Sequence, residues 1–283
     1  MRIPKLAWAL VALGVFALPV VASAEDCRYS APRNADIDAA GLHSLLLRLG
    51  SSDLVIHGVA GLNRVEVRGT ACASDQSWLK DLQIDTGRSG DQATVDAEHR
   101  TETSVFNLFG DHYAYLKLQV NVPPALAVQI HSGSGDMQAN GLASLDVDSG
   151  SGDLIADGIQ GALALRLGSG DVRADNVGSV ALSGTGSGDV HVSGVQGDVQ
   201  ADHSGSGDLD FSRVRGSVRV GSTGSGDVTF SDIGRDAEVG STGSGDVTAN
   251  GVGGNFTVRA NGSGDIRYHG VRGKVSVPAQ DDD

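Results

Sequence analysis

The chain has 283 residues, 21 of them basic and 35 acidic, for a net charge of −14 at pH 7. So acidic a surface repels nucleic acid and anionic lipid and favours solubility and counter-cations. The acidity is uneven: residues 25–208 hold 11 basic and 25 acidic residues, whereas residues 209–277 hold 8 and 7.

Arg2 and Lys5 precede an apolar run from Leu6 to Val21, and Ala22-Ser23-Ala24 follows it. A basic start, a short apolar stretch and a small-residue site predict a signal peptide over 1–24, cut before Glu25. The expected location is therefore exported, in the periplasm or at the cell surface, with no transmembrane anchor after cleavage. Two cysteines, Cys27 and Cys72, lie beyond the leader. An even count in an exported chain predicts one disulfide, against two buried free thiols. Closing a loop of about 45 residues would contribute on the order of 4 kcal/mol in the chain-entropy model.

Residues 25–125 read as an N-terminal cap followed by irregular coils. Gly41–Leu49 is apolar and fits either a strand or a helical cap. Gly50 to Gly61 resembles the repeat found further along, with Ser52 where a glycine is usual. Val65 and Val67 alternate with charges as in a strand with one buried face. Ser74–Leu79 predicts a short helical turn capped by Ser74 or Asp75. Strands are expected at 82–84, 93–97 and 113–122, with a loop excursion between the last two. Pro123-Pro124 ends the last strand, because proline donates nothing to a ladder.

Residues 126–278 repeat regularly, and an acidic tail, 279–283, follows. The turn Ser-Gly-Ser-Gly-Asp and its near copies place aspartates at Asp136, Asp153, Asp171, Asp189, Asp208, Asp227, Asp246 and Asp265, with gaps of 17, 18, 18, 19, 19, 19 and 19 residues. A fixed period near 20 residues marks a solenoid of stacked coils. Counted from each aspartate, offsets +1, +3 and +6 are small or apolar, as are +10 and +12 in the longer coils. Two-residue alternation makes these strands. Three short strands per coil are expected, separated by glycine bends at +5 and +8, where the chain needs positive φ or close backbone approach. The predicted fold is all-β: a right-handed parallel β-solenoid of about 18 to 19 residues per coil.

The strand Leu116–Pro123, then Val128-Gln129-Ile130 and the Ser-Gly-Ser-Gly-Asp coils resemble a family of bacterial exported β-strand-repeat proteins. These are the putative adhesins, related to the head-GIN, autotransporter-adhesin-like domain. The resemblance covers most of the chain from about Asp53. It implies a parallel β-helix and an exported location, and it supplies no catalytic residue, cofactor or ligand.

The aspartate column admits two readings. Each carboxylate could accept backbone N–H bonds from its own turn. Alternatively, cations could sit between rungs, although calcium wants six to eight oxygens and two rungs would have to share an ion. The calcium-binding nonapeptide has a different glycine spacing and recurs twice per coil, which favours structural turns with at most weak cation binding. Phosphate loops are not expected, since eight copies followed by strands are corners. No catalytic, cofactor or metal residue is assigned. Glu98, His99, Glu102, Asp111 and His112 form the one off-pattern cluster, in the loop excursion. His57, His131, His191, His203 and His269 fall at differing offsets and form no zinc column. Arg213, Arg215, Arg219, Arg259, Arg267 and Arg272 alternate with acids, which disfavours nucleic-acid binding.

The resulting expectation is a non-enzymatic, exported, adhesin-like scaffold that needs no cofactor. It would present a rigid face to an envelope or extracellular partner, a protein or a polysaccharide. The alternative is a carbohydrate-active β-helix enzyme with its site at Glu98–His112.

Overall fold

The computed structural model describes residues 27–97 and 113–279. The predicted leader, the Glu98–His112 excursion and the aspartates of the tail lie outside the described residues. The described residues are all-β apart from one short 3-10 turn, Gln76–Lys80, and form a parallel β-solenoid. Asp75 caps that turn, its carboxylate accepting the Ser77 N–H.

Two 12-stranded sheets make the walls. In chain order the first strands are β1 (Tyr29–Asp38), β2 (Ser44–Gly50), β3 (Asp53–Gly58), β4 (Arg64–Ala73), β5 (Asp85–Ser89), β6 (Gln92–Asp96), β7 (Ala114–Val122), β8 (Ala127–Ser132) and β9 (Met137–Asn140). The apolar run at 41–49 thus becomes strand from Ser44 on, after a turn, whereas residues 82–84 are not a strand: Leu82 is buried there in irregular chain. One sheet runs β1-β4-β7-β3-β9 and continues through the strands that start at Leu154, Val172, Val190, Leu209, Val228, Val247 and Ile266. The other runs β5-β6-β2-β8 and continues through strands starting at Ser144, Ala162, Ser179, Val199, Val218, Ala237, Phe256 and Val275.

Each regular coil therefore has two strands, where three were expected. In the coil from Asp189, the residues at +1, +3 and +6 share one strand, Val190–Val195, and +10 and +12 lie in Val199–Ser204. In the coils from Asp136, Asp153, Asp171 and Asp265 the first strand stops at +4; in the other four the bend between +3 and +6 is absorbed at +5 without ending the ladder. That position is left-handed in every regular coil: Gly141, Gly158, Gly194, Gly251 and Gly270, but also Asn176, Arg213 and Asp232, with φ between 52° and 74°. Asparagine and aspartate tolerate this region; arginine there is strained.

The start of the stack is not sequential. β2 and β3 form a coil lying directly under β8 and β9, with β6 and β7 on its other side. Beyond β7 the ladder turns antiparallel, as β4 pairs with β7 and β1 with β4; β5 does the same against β6. β1 is the outermost strand of its sheet and carries Pro32, which offers no N–H to an incoming strand. Cys27 and Cys72 are joined by a disulfide, Cα–Cα 5.4 Å, that ties the segment before β1 to β4.

The core is one continuous column between the sheets. Its filling is complementary from wall to wall. Phe230 faces a coil whose +10 residue is Ala237, while the next coil has Ala249 at +3 and Phe256 at +10. Phe211 and Phe230 stack in the interior with centroids 6.3 Å apart, and Phe256 meets Phe230 edge-on at 6.4 Å. Large and small residues thus alternate along each wall, Phe230 beside Ala249 and Ala237 beside Phe256.

Candidate functional site

The eight predicted aspartates stand in one column along one edge of the stack, and the structure adds a ninth, Asp53, at its foot. The carboxylate Oδ1 of each rung from Asp53 to Asp246 accepts the backbone N–H of the aspartate one coil on. Asp53 takes the Asp136 N–H at 3.3 Å, Asp136 takes that of Asp153 at 3.1 Å, and the six following bonds measure 2.8 to 2.9 Å. The bonds therefore run between turns, not within the carboxylate's own turn as the sequence suggested. A return bond completes each clamp: the Asp227 carbonyl, for example, accepts the Leu209 N–H at 2.8 Å while Asp227 donates to Asp208.

This geometry explains how like charges stand one coil apart. Two carboxylates about 4.8 Å apart repel by roughly 0.9 kcal/mol in water. A hydrogen bond to a charged acceptor contributes about 1.5 to 3 kcal/mol. The attraction wins. At the last rungs Arg267 adds a cation, bonded to Asp246 at 2.7 Å and also to Asp265. The Asp246 carboxyl is held below the usual carboxylate range, first by the Asp265 N–H and then by Arg267.

The glycine before each aspartate is set by the same stacking. A Cβ on Gly226 would lie 2.0 Å from the Gly207 carbonyl oxygen, and Gly135, Gly152, Gly170, Gly188, Gly207, Gly245 and Gly264 show 1.9 to 2.0 Å. Ser52 escapes because it opens the column: beneath β3 the chain runs as the extended strand β7, not as another turn.

Two further columns were not foreseen. Buried hydroxyls of Thr185, Ser204, Thr223 and Thr242 donate to the glycine carbonyls three residues on, at 2.9 to 3.3 Å, and Asn261 does so with its amide. Each pins its turn from inside. On the opposite corner, Asp198 accepts the Ser217 N–H, Asp236 the Asn255 N–H, and Asn255 the Lys274 N–H, at 2.6 to 2.9 Å. The signal for both was the 19-residue spacing of small polar residues, masked by their changing identity.

The histidines remain scattered: His191 lies 3.1 Å from Asp210 and His203 3.2 Å from Ser222. Among the described residues no group of three or more His, Cys, Asp or Glu is placed to hold a metal ion. Nor is any helix among them long and apolar enough to cross a membrane. Glu98, His99, Glu102, Asp111 and His112 fall outside the described residues.

Residues 68–218, more than half of the chain, match the model of the family described as Toastrack DUF4097. The chain belongs to the Toastrack DUF4097 family. The resemblance read from Leu116–Pro123 and the repeats agrees with that membership. Among solved structures, this Toastrack chain is similar to a "putative adhesin" from Parabacteroides merdae, with 11% identity and a TM-score of 0.43, covering 88% of this chain and 96% of the other. A "putative lipid binding protein" from Parabacteroides distasonis has 14% identity and a TM-score of 0.42, covering 88% and 97%. A "putative cell adhesion protein" from Clostridium sporogenes has 14% identity and a TM-score of 0.32, covering 88% and 100%. No curated protein matches the chain.

Proposed function

We propose that the protein is a non-enzymatic, exported scaffold whose stacked coils hold a rigid, elongated face toward an envelope or extracellular partner, a protein or a polysaccharide. The observation that carries this reading is the clamp between coils. Each turn aspartate from Asp53 to Asp246 spends one carboxylate oxygen on the next coil's backbone. A motif repeated eight times for ligands would leave both oxygens open; this one commits Oδ1 to its own fold. Stiffness follows, since every coil is tied to its neighbours by strand ladders on both walls and by the column at the edge. The leader motif at residues 1–24 supports export.

The test has two parts. The full chain, expressed with its leader in a bacterial host, is expected in the periplasm or at the surface. The purified mature chain, applied to immobilised glycans and envelope proteins, is expected to retain a partner without releasing reducing ends. Turnover of a glycan, lost when Glu98 or Glu102 is changed to Gln, would replace this reading with a carbohydrate-active enzyme.

A further inference from the structure

The last four coils differ from the rest in charge, and one corner of them differs in shape. An open trough of about 500 Å³ crosses the +5 to +7 corner, rimmed by Arg213 and Arg215 at one end and Arg272 at the other. Its floor is backbone. A side chain on Gly234 or Gly253 would meet the preceding coil's carbonyl at 2.4 or 2.3 Å, so stacking keeps the space between the rims clear. The Gly234, Gly253 and Arg272 N–H groups donate to the Val214, Ile233 and Val252 carbonyls in turn, which puts Arg215 and Arg272 three coils apart. At about 4.8 Å per coil the rims are separated by roughly 14 Å.

The arginines at this corner are not spent on the fold. Elsewhere Arg64, Arg68, Arg173, Arg219, Arg259 and Arg267 hold carboxylates, while exposed Arg166 and Arg235 stand singly and do not line the trough. Among the described residues no carboxylate pairs with Arg213, Arg215 or Arg272, and all three are exposed. Arg213 also occupies the left-handed position with φ 52°, where glycine stands in five other coils. An unpaired arginine kept in a strained backbone position, in so acidic a chain, is a cost that the packing does not explain.

We propose that this trough binds an acidic polysaccharide, an extended glycan bearing carboxylate or sulfate groups that reach the two arginine rims. The proposal rests on the scaffold reading and gives the scaffold a ligand class. Guanidinium groups match planar carboxylate and sulfate oxygens through paired N–H donors. The floor offers no socket for an apolar peptide side chain, because Val214, Ile233 and Val252 are turned into the core. A flat anionic bilayer meets only the rims of a concave surface. The net charge of the molecule opposes every polyanion, and it does so least over the last coils, where residues 209–277 hold 8 basic and 7 acidic residues. Asp232, in the trough wall, weakens the attraction and limits it to densely charged chains.

The experiment measures retention of the purified mature chain on polygalacturonate and dextran sulfate, with neutral dextran and phosphatidylglycerol vesicles as the other arms. Both polyanions should retain the wild type, less strongly as salt screens the contact. The triple variant Arg213→Gly, Arg215→Gln, Arg272→Gln should bind about tenfold more weakly, a few-fold for each exposed contact. Asp232→Asn should bind more tightly. Arg173→Gln with Arg219→Gln and Arg259→Gln, an equal loss of three cations away from the trough, should stay within about twofold. Because glycine suits position 213, the Arg213→Gly variant should fold at least as stably, so its weaker binding is not lost structure. No retention on either polyanion, equal binding by the triple variant, or preference for the vesicles would each overturn the proposal. Retention of some other partner would then leave the scaffold reading standing, whereas release of oligosaccharides from polygalacturonate would remove that reading instead.

Discussion

Replacing Gly226 with alanine tests the stacking geometry most severely for its size. The new methyl carbon would sit 2.0 Å from the Gly207 oxygen, against 3.4 Å for ordinary contact, so the coils must part locally by about 1.4 Å. Three bonds span that gap: Asp227 N–H to Asp208 Oδ1 at 2.8 Å, Leu209 N–H to the Asp227 carbonyl at 2.8 Å, and Ser225 N–H to the Gly205 carbonyl at 3.0 Å. Parting the coils takes all three beyond bonding range. At about 1 kcal/mol for each backbone pair and about 2 for the charged acceptor, the loss is about 4 kcal/mol. Urea unfolding followed by far-ultraviolet circular dichroism reads the difference. The control is Gly184→Ala, where an added carbon meets nothing within 4 Å; it should change stability by less than about 0.5 kcal/mol. A Gly226→Ala protein within 1 kcal/mol of wild type would refute the close-approach argument.

Other consequences follow from the same structure. Phe230→Ala empties a fully buried site between the Phe211 and Phe256 rings; chemical denaturation should show a loss of about 3 to 5 kcal/mol. Asp246 has a depressed folded-state pKa, so the stability it contributes is present above the unfolded value of about 3.9 and is lost as pH falls through the folded value. The stability gap between wild type and Asp246→Asn should therefore persist at neutral pH and shrink in acid unfolding below about pH 4. Chelation with EDTA, or added calcium, should leave the thermal midpoint of the mature chain unmoved, because Oδ1 of each rung is already bonded to protein.

The apolar columns and the aspartate turn were legible because a coil repeats its environment every 19 residues: Val218, Ala237 and Phe256 sit in register, as do Asp227, Asp246 and Asp265. The Gly50–Gly61 stretch was legible for the same reason. Its place in the stack was not. β3 pairs with β9 and β7 across sequence distances that no local pattern encodes, and β7 beneath it is extended where the other coils turn. The count of strands per coil failed at +5, where a single left-handed residue bends the chain yet leaves the ladder intact, as the Val195–Val214 pairing shows. The carboxylates were expected to serve their own turns, as an isolated Asx motif would. Stacking brings the next coil's N–H within 3 Å, and that bond exists only in the folded solenoid. The arginine trough was hidden for a similar reason: Arg215 and Arg272 are 57 positions apart in the sequence and three coils apart in space.

Amide hydrogen exchange in an Asp227→Ala protein addresses the clamp itself. The substitution removes the acceptor of the Asp246 N–H and leaves the acceptor of the Asp227 N–H, Asp208, in place. Exchange at residue 246 should accelerate about ten- to a hundredfold, the equivalent of a lost charged hydrogen bond, while residue 227 keeps its protection. Unchanged exchange at residue 246, with deprotection confined to the mutated turn, would contradict a column that binds each coil to the next.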